Sequence, residues 1–423
     1  MKKFWCLFLI AILLLGCVAE SDAPIGIVSP APETPEVAEA TADTETETPE
    51  PTPEATAVPT EAPTPEPTRS PEERLYAYIE GLSTEEKIGQ LCMFGFSGTK
   101  EIGADFKKIL QEYRIGSVML YGQNIVRTNS DGGFLQCSRL TDSINGANKS
   151  AIPLLIGLDV EGGQVTRFHW KTTLKSAQTL GSKNSDSLAF EQFRYIAEWL
   201  TNAGINVNLA PCLDVAKEPG KTFLGNRIIS SDEEIVSDIG LACVEGLHDG
   251  GCLSIVKHFP GHGATDADSH QITPVVQKSF ASLQSYELIP FSHVLGEADG
   301  VLVAHISYPK IDDAHIASQS EIFITEILRG ELGFSGIVMS DDFRMDGLRK
   351  QTSLQKGAVR FILAGGDLIL CGANHSYQRE ILKGLYAAVE DGTISEARLN
   401  ESVYRILSAK MRVTGWDPFE NEE

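Results

Sequence analysis

At 423 residues, with 42% apolar and 22% charged residues, the chain has the composition of a soluble enzyme and room for one α/β barrel plus extensions. Its 58 Asp/Glu against 35 Lys/Arg give a net charge of −23 with no basic patch to offset it, which excludes nucleic acid and anionic membrane surfaces as partners held by charge. The substrate is therefore neutral or cationic, or chosen by shape.

The chain opens with a targeting pattern. Lys2 and Lys3 precede an apolar run from Phe4 to Leu15, and Leu14-Leu15-Gly16-Cys17 closes it. A basic start, a short apolar segment and small residues before a cut site predict a signal peptide over 1–16, and the run is short for a membrane-spanning helix. The Leu-Leu-Gly-Cys ending resembles a bacterial lipobox, which implies cleavage before Cys17 and its lipidation. The expected location is extracytoplasmic, anchored to the membrane by lipid.

Residues 17–71 are dominated by Pro, Glu, Thr and Ala, and Val18 to Thr68 contains twelve Asp/Glu and no Lys or Arg. Such a segment has almost nothing to bury, so a disordered, extended tether is expected. At roughly 3.1 Å per residue in polyproline II geometry it would reach on the order of 150 Å.

Residues 72–423 read as one catalytic domain. Buried-strand candidates recur at Ile88–Phe96, Ile115–Tyr121, Ile152–Val160, Ile205–Val215, Cys252–Phe259, Gly300–Ile306, Gly336–Phe343 and Leu368–Cys371. Helical stretches lie between them. Phe193, Ile196, Ala197 and Leu200 keep a 3.6-residue period, Ser231 and Glu234 have capping-box spacing before a Gly250-Gly251 stop, and Glu321–Arg329 and Ser395–Lys410 also read as helices. Continuous apolar strands alternating with helices predict a parallel sheet, and eight such units predict a (β/α)8 TIM-type barrel. The competing doubly wound sheet would carry a Gly-x-Gly-x-x-Gly turn after the first strand, and Phe94-Gly95-Phe96-Ser97-Gly98-Thr99 lacks the third glycine. Cys92, Cys137, Cys212, Cys243, Cys252 and Cys371 include no Cys-x-x-Cys pair, and the expectation is buried free thiols.

In a barrel, chemistry sits at the C-terminal ends of the strands. There the sequence places Asp159 to Arg167 at the end of strand three, Asp214 at the end of strand four with Arg227 further along its loop, Lys257 and His258 at the end of strand five, His305 at the end of strand six and Asp341-Asp342 at the end of strand seven. The densest stretch is Lys257-His258-Phe259-Pro260-Gly261-His262-Gly263 with Asp268-Ser269-His270. Carboxylates plus cations suit three chemistries: glycoside hydrolysis by paired carboxyl groups, water activation on a metal, or imine formation at a lysine. A His-x-His at the end of strand one would favour the metal, and Phe94-Gly95-Phe96 stands there instead. A lysine among carboxylates stays protonated and favours hydrogen bonding over imine chemistry.

The ordered Lys-His-Phe-Pro-Gly-His-Gly motif with Asp268-Ser269-His270 resembles the signature of the NagZ-type β-N-acetylglucosaminidases of glycoside hydrolase family 3. Further likeness lies in Gly95-Phe96-Ser97-Gly98, in Asp159 and Glu161-Gly162-Gly163 with Arg167-Phe168, in Asn208-Leu209-Ala210-Pro211 with Asp214, and in Ser340-Asp341-Asp342. The resemblance spans roughly 72–413. It implies a retaining reaction with Asp341 as nucleophile, His270 as acid/base and Asp268 as the partner orienting it. It also implies substrate binding by Asp159, Arg167, Arg227, Lys257 and His258. No cofactor and no metal are expected. The implied substrate is an N-acetylglucosamine-containing glycan or muropeptide, met by a monomer. β-Glucoside hydrolysis, transfer of the sugar to phosphate, and a non-catalytic sugar-binding lipoprotein are the alternatives.

Two residues depart from that family pattern, Val160 and Gln164, which bears on fine substrate preference. Asp342 and Asp214 read as structural carboxylates, and His305 as pocket lining or core. His262 reads as a loop-shaping residue or a substrate contact. The glycines at 261 and 263 suggest a mobile loop.

Overall fold

The computed structural model describes residues 69–127, 131–265, 268–269 and 271–420. Cys17, the segment around it and His270 lie outside the described residues. The described chain opens with a helix at Pro71–Glu80, whose start is fixed by Ser70: its side chain accepts from Glu73 N while the Glu73 carboxylate takes the Ser70 amide.

Ten strands follow: β1 (Cys92–Gly95), β2 (Ser117–Met119), β3 (Leu155–Leu158), β4 (Val207–Asn208), β5 (Leu253–Phe259), β6 (Gly300–Val303), β7 (Ser307–Tyr308), β8 (Asp312–Ile316), β9 (Ile337–Ser340) and β10 (Ile369–Cys371). Eight of them pair in parallel in the order β10-β1-β2-β3-β4-β5-β6-β9. A bridge between Met339 and Leu368, with Ser340 N donating to Leu368 O at 2.9 Å, joins β9 to β10 and closes the ring. The fold is the expected (β/α)8 barrel, with β7 and β8 inserted as an antiparallel hairpin after β6.

The barrel interior is filled rather than hollow. Gly157 on β3 leaves room for Met93, Met119 and Leu209, and a β-carbon there would sit 3.3–3.4 Å from their side chains. All six described cysteines are free and buried, as small apolar residues would be.

Three sequence expectations shift. The run from Ile88 is not one strand: Thr84–Gln90 is a helix capped by Ser83, and only Cys92–Gly95 enters the sheet. The capping box expected at Ser231 is displaced by one residue. Asp232 is the cap, its carboxylate accepting from Glu234 N and Ile235 N ahead of the helix Glu233–Asp249. The helix expected at Glu321–Arg329 is a wider π-type turn over Ile322–Glu331.

Candidate active site

The C-terminal ends of the strands and the loops beyond them converge on one cavity of about 380 Å³. Asp159, Arg167, Arg227, Lys257, His258 and Asp341 line it together, so the structure gathers six residues that are up to 182 positions apart (341 − 159).

The β3 side is built first. The Asn208 side chain on β4 bonds both the N–H and the carbonyl of Val160, each at 2.9 Å, and pins the chain where β3 ends. That anchor presents Asp159 and Glu161 on the same side. Lys257 reaches between them, with Nζ 2.7 Å from Asp159 Oδ1 and 2.6 Å from Glu161 Oε1. Arg227 grips Glu161 with two parallel bonds of 2.8 and 2.9 Å. The Arg167 guanidinium donates to Asp159 Oδ2 at 3.3 Å and to the Asp159 carbonyl at 3.2 Å.

The electrostatics follow from this pairing. Burial would raise both carboxyls, yet the adjacent cations outweigh it. Asp159 is held below its usual range by Lys257 and Arg167, and Glu161 well below by Arg227 and Lys257. Burial alone would lower the lysine, but the two carboxylates hold Lys257 above its usual value and therefore charged. It is a permanent hydrogen-bond donor, as its neighbours in the sequence suggested.

His258 is oriented from behind. Asp214 Oδ2 lies 2.6 Å from His258 Nδ1, and Arg227 Nη2 lies 3.2 Å from Nε2. Asp214 is fully buried. Burial acts to raise its carboxyl, and His258 more than offsets this, leaving it near 2. Consecutive residues of a regular strand face opposite ways. Here a register shift between Lys257 and Phe259 against β6 interrupts the alternation, and both Lys257 and His258 line the cavity.

On the opposite wall, Asp341 follows the last residue of β9, and its amide donates to Val303 O at 3.1 Å. Its Oδ1 accepts from Asp342 N at 2.8 Å. Asp342 has a structural assignment, as expected, although it also faces the cavity. It takes Tyr121 Oη at 2.9 Å, Gly372 N at 3.2 Å and Arg344 Nη2 at 2.6 Å. The Arg344 guanidinium lies under the Tyr121 ring, 5.1 Å from its centroid, and flat against Gly372, where a β-carbon would fall 2.1 Å from Cζ.

Glu161, Tyr121 and Arg344 were not singled out from the sequence. Glu161 had a signal, since it stands two residues from Asp159 at a strand end. Tyr121 had none, because its partner Asp342 comes from another strand, and Arg344 lies two residues past Asp342 but stacks on Tyr121 and Gly372 from other strand ends. His305 resolves as core: it is fully buried, its Nδ1 meets Ser318 Oγ at 2.7 Å, and its Nε2 has no partner among the described residues. The two glycines of the β5 loop have a packing reason, and Gly261 also a φ of 131°. A β-carbon at Gly263 would lie 2.0 Å from Val215 O, and one at Gly261 2.8 Å from Glu287.

Cys212, Asp214 and His258 place ligand atoms within 4.8 Å of one another, the one such group among the described residues. These groups are already engaged: Cys212 Sγ donates to Asp214 Oδ2 at 3.1 Å, and His258 Nε2 faces Arg227. Burial raises the Cys212 thiol well above its ordinary value, which keeps the proton a metal would have to displace.

The model of the glycosyl hydrolase family 3 N-terminal domain matches residues 83–409. A β-hexosaminidase of Tolumonas auensis is 34% identical over 293 residues, covering 67% of this chain and 84% of that protein. The structure of a family 3 β-N-acetylglucosaminidase from Paenibacillus sp. str. FPU-7 superposes with a TM-score of 0.75 at 35% identity, covering 79% of this chain and 63% of that one. The β-N-acetylglucosaminidase of Thermotoga maritima gives a TM-score of 0.64 at 27% identity, covering 76% of this chain and 67% of that one. The chain thus spans under two thirds of the Paenibacillus enzyme's length.

Proposed function

Because the chain belongs to glycoside hydrolase family 3, we propose that it is a retaining exo-β-N-acetylglucosaminidase acting on peptidoglycan-derived fragments. The observation that carries this reading is the small cavity in which a cross-linked grip of Asp159, Glu161, Lys257, Arg227 and Arg167 stands opposite Asp341. A neutral sugar rich in hydroxyls needs such a mixture of acceptors and donors. The name of the Paenibacillus relative supports the same sugar, and that of the Tolumonas relative supports a β-hexosaminide.

In this mechanism the Asp341 carboxylate attacks the anomeric carbon of the terminal sugar. The bond from that carbon to the glycosidic oxygen breaks, and the leaving oxygen takes a proton from His270. A water molecule, deprotonated by the same histidine, then attacks the anomeric carbon and releases Asp341. Asp268 orients the imidazole and stabilises its charged form. Lys257, His258, Asp159, Arg167 and Arg227 hold the terminal sugar, and no cofactor is required. We extend the proposal to the N-terminus, where lipidated Cys17 would tether the enzyme outside the cytoplasm. Palmitate labelling abolished by Cys17→Ala is the expected result.

The decisive assay follows 4-nitrophenol release from the N-acetyl-β-glucosaminide and the β-glucoside side by side, with and without phosphate. Preference for the N-acetylated sugar, independence of phosphate and insensitivity to EDTA are expected. Retention of most activity in Asp341→Asn would sink the assignment.

A further inference from the structure

His262 stands at the start of the loop that leads to Asp268, and the mechanism above gives it no task. It is 1% exposed, in a short turn whose main chain is anchored on the sugar-binding side: the His262 amide donates to Asp214 Oδ1 at 2.5 Å, while Asp214 Oδ2 holds His258. Both ring nitrogens are spent within the loop itself. Nδ1 lies 2.8 Å from Thr265 Oγ1, and Nε2 lies 2.8 Å from Ser269 Oγ.

These contacts fix the tautomer. The Thr265 hydroxyl donates its hydrogen to His262 O at 2.9 Å, so at Nδ1 it serves as acceptor, and Nδ1 carries the proton. Nε2 is then an acceptor, and the Ser269 hydroxyl donates to it. The ring is neutral, in keeping with burial and the neighbouring His258, which lower His262 to about 4. Ser269 is itself 2% exposed, and its carbonyl accepts from Gly347 N at 3.0 Å. It is the central residue of the Asp268-Ser269-His270 triplet.

We infer that His262 is a positioning residue for the proton-transfer loop, clamping Ser269 through Nε2 so that the residues on either side are presented to the glycosidic oxygen. A direct substrate contact is the rival role. With both nitrogens engaged and the ring buried, a sugar hydroxyl would have to displace Thr265 or Ser269 to reach it. The chain of contacts His258–Asp214–His262–Ser269 also links the sugar grip to the centre of the triplet without passing through substrate.

The inference rests on the proposed acid/base role of the triplet, and the test separates the two. Measure kcat/KM for N-acetyl-β-glucosaminides with a good leaving group (dinitrophenol) and a poor one (an alcohol or second sugar) in His262→Phe, Ser269→Ala and His270→Gly. Loss of general acid help costs on the order of 100-fold with the poor leaving group and little with the good one. Ser269→Ala removes one oxygen and keeps the fold, so it serves if His262→Phe does not fold. All three variants are expected to show this leaving-group dependence, and the His262→Phe/Ser269→Ala double variant is expected to be no worse than the poorer single. Equal loss with both leaving groups in Ser269→Ala, beside a leaving-group-dependent His270→Gly, overturns the positioning role. Absence of leaving-group dependence in His270→Gly overturns the acid assignment instead.

Discussion

The two ends of the barrel both carry buried carboxylates among cations, and they use them differently. At the N-terminal end, Asp367 takes Arg329, Arg405 and Ser402 at 2.6, 3.0 and 2.7 Å, and also the main-chain amide of Val338 at 2.9 Å. Asp299 likewise takes His248 and Arg412, and the amide of Ser254 at 2.9 Å. Each carboxylate therefore clips a strand start to a helix. At the C-terminal end, the side chains of Asp159 and Glu161 receive only side-chain donors among the described residues. Donors that belong to movable side chains can be shared with an incoming hydroxyl, whereas a main-chain amide cannot leave its strand. Size is no guide: the N-terminal cavity, at about 750 Å³, is the larger of the two.

Variants that separate catalysis from stability sharpen this contrast. The largest effect is expected at Asp341→Asn, with kcat down about 10⁴-fold or more and a melting temperature close to that of the parent. At the other end, Asp367→Ala leaves Arg329, Arg398 and Arg405 without their shared carboxylate. It should cost about 3–5 kcal/mol of stability in urea unfolding, with kcat/KM per folded molecule unchanged. A large loss of kcat/KM there would break the division of labour.

The two ends should also titrate in opposite directions. His262 has a folded pKa of about 4, below its usual 6.5, so its contribution is complete above pH 6.5 and fades as the pH falls toward 4. That limb is worth on the order of 3 kcal/mol and should flatten in His262→Gln. His248 is raised, chiefly by its hydrogen bond to Asp299, so its contribution is complete below 6.5 and is lost as the pH rises through its folded value. His248→Gln should flatten that alkaline limb. The smallest effect is expected for Arg412→Gln. This side chain is 57% exposed and its pair with Asp299 is screened, so stability should change by about 1 kcal/mol or less.

Much of the site was legible because strand ends are legible. Asp159, Lys257, His258 and Asp341 each follow an apolar run that can only be a buried strand, and polar residues at that point face the mouth of a barrel. Asp214 and Asp342 were read as structural, and the amides of His262 and Gly372 that they hold agree. The packing reason for the loop glycines is not legible in the sequence. Gly263 looks like a hinge in the sequence, but its reason is the Val215 carbonyl, which lies 48 residues away (263 − 215). Arg344 was invisible because its seat is assembled from Tyr121, Asp342 and Gly372, on three different strand ends.

Periodicity and the order of apolar runs were enough for the barrel, for the strand each candidate follows, and, through the Lys257–Gly263 motif, for the family. Those are local properties, set by which side chains must be buried and how often they recur. Pairing was decided only in three dimensions. That Lys257 serves both Asp159 and Glu161, that a slipped register turns His258 inward beside it, and that His262 spends both nitrogens on its own loop depend on distances between segments. Hydrogen bonds and ion pairs act over about 3 Å, and no spacing along a chain determines which groups will come that close.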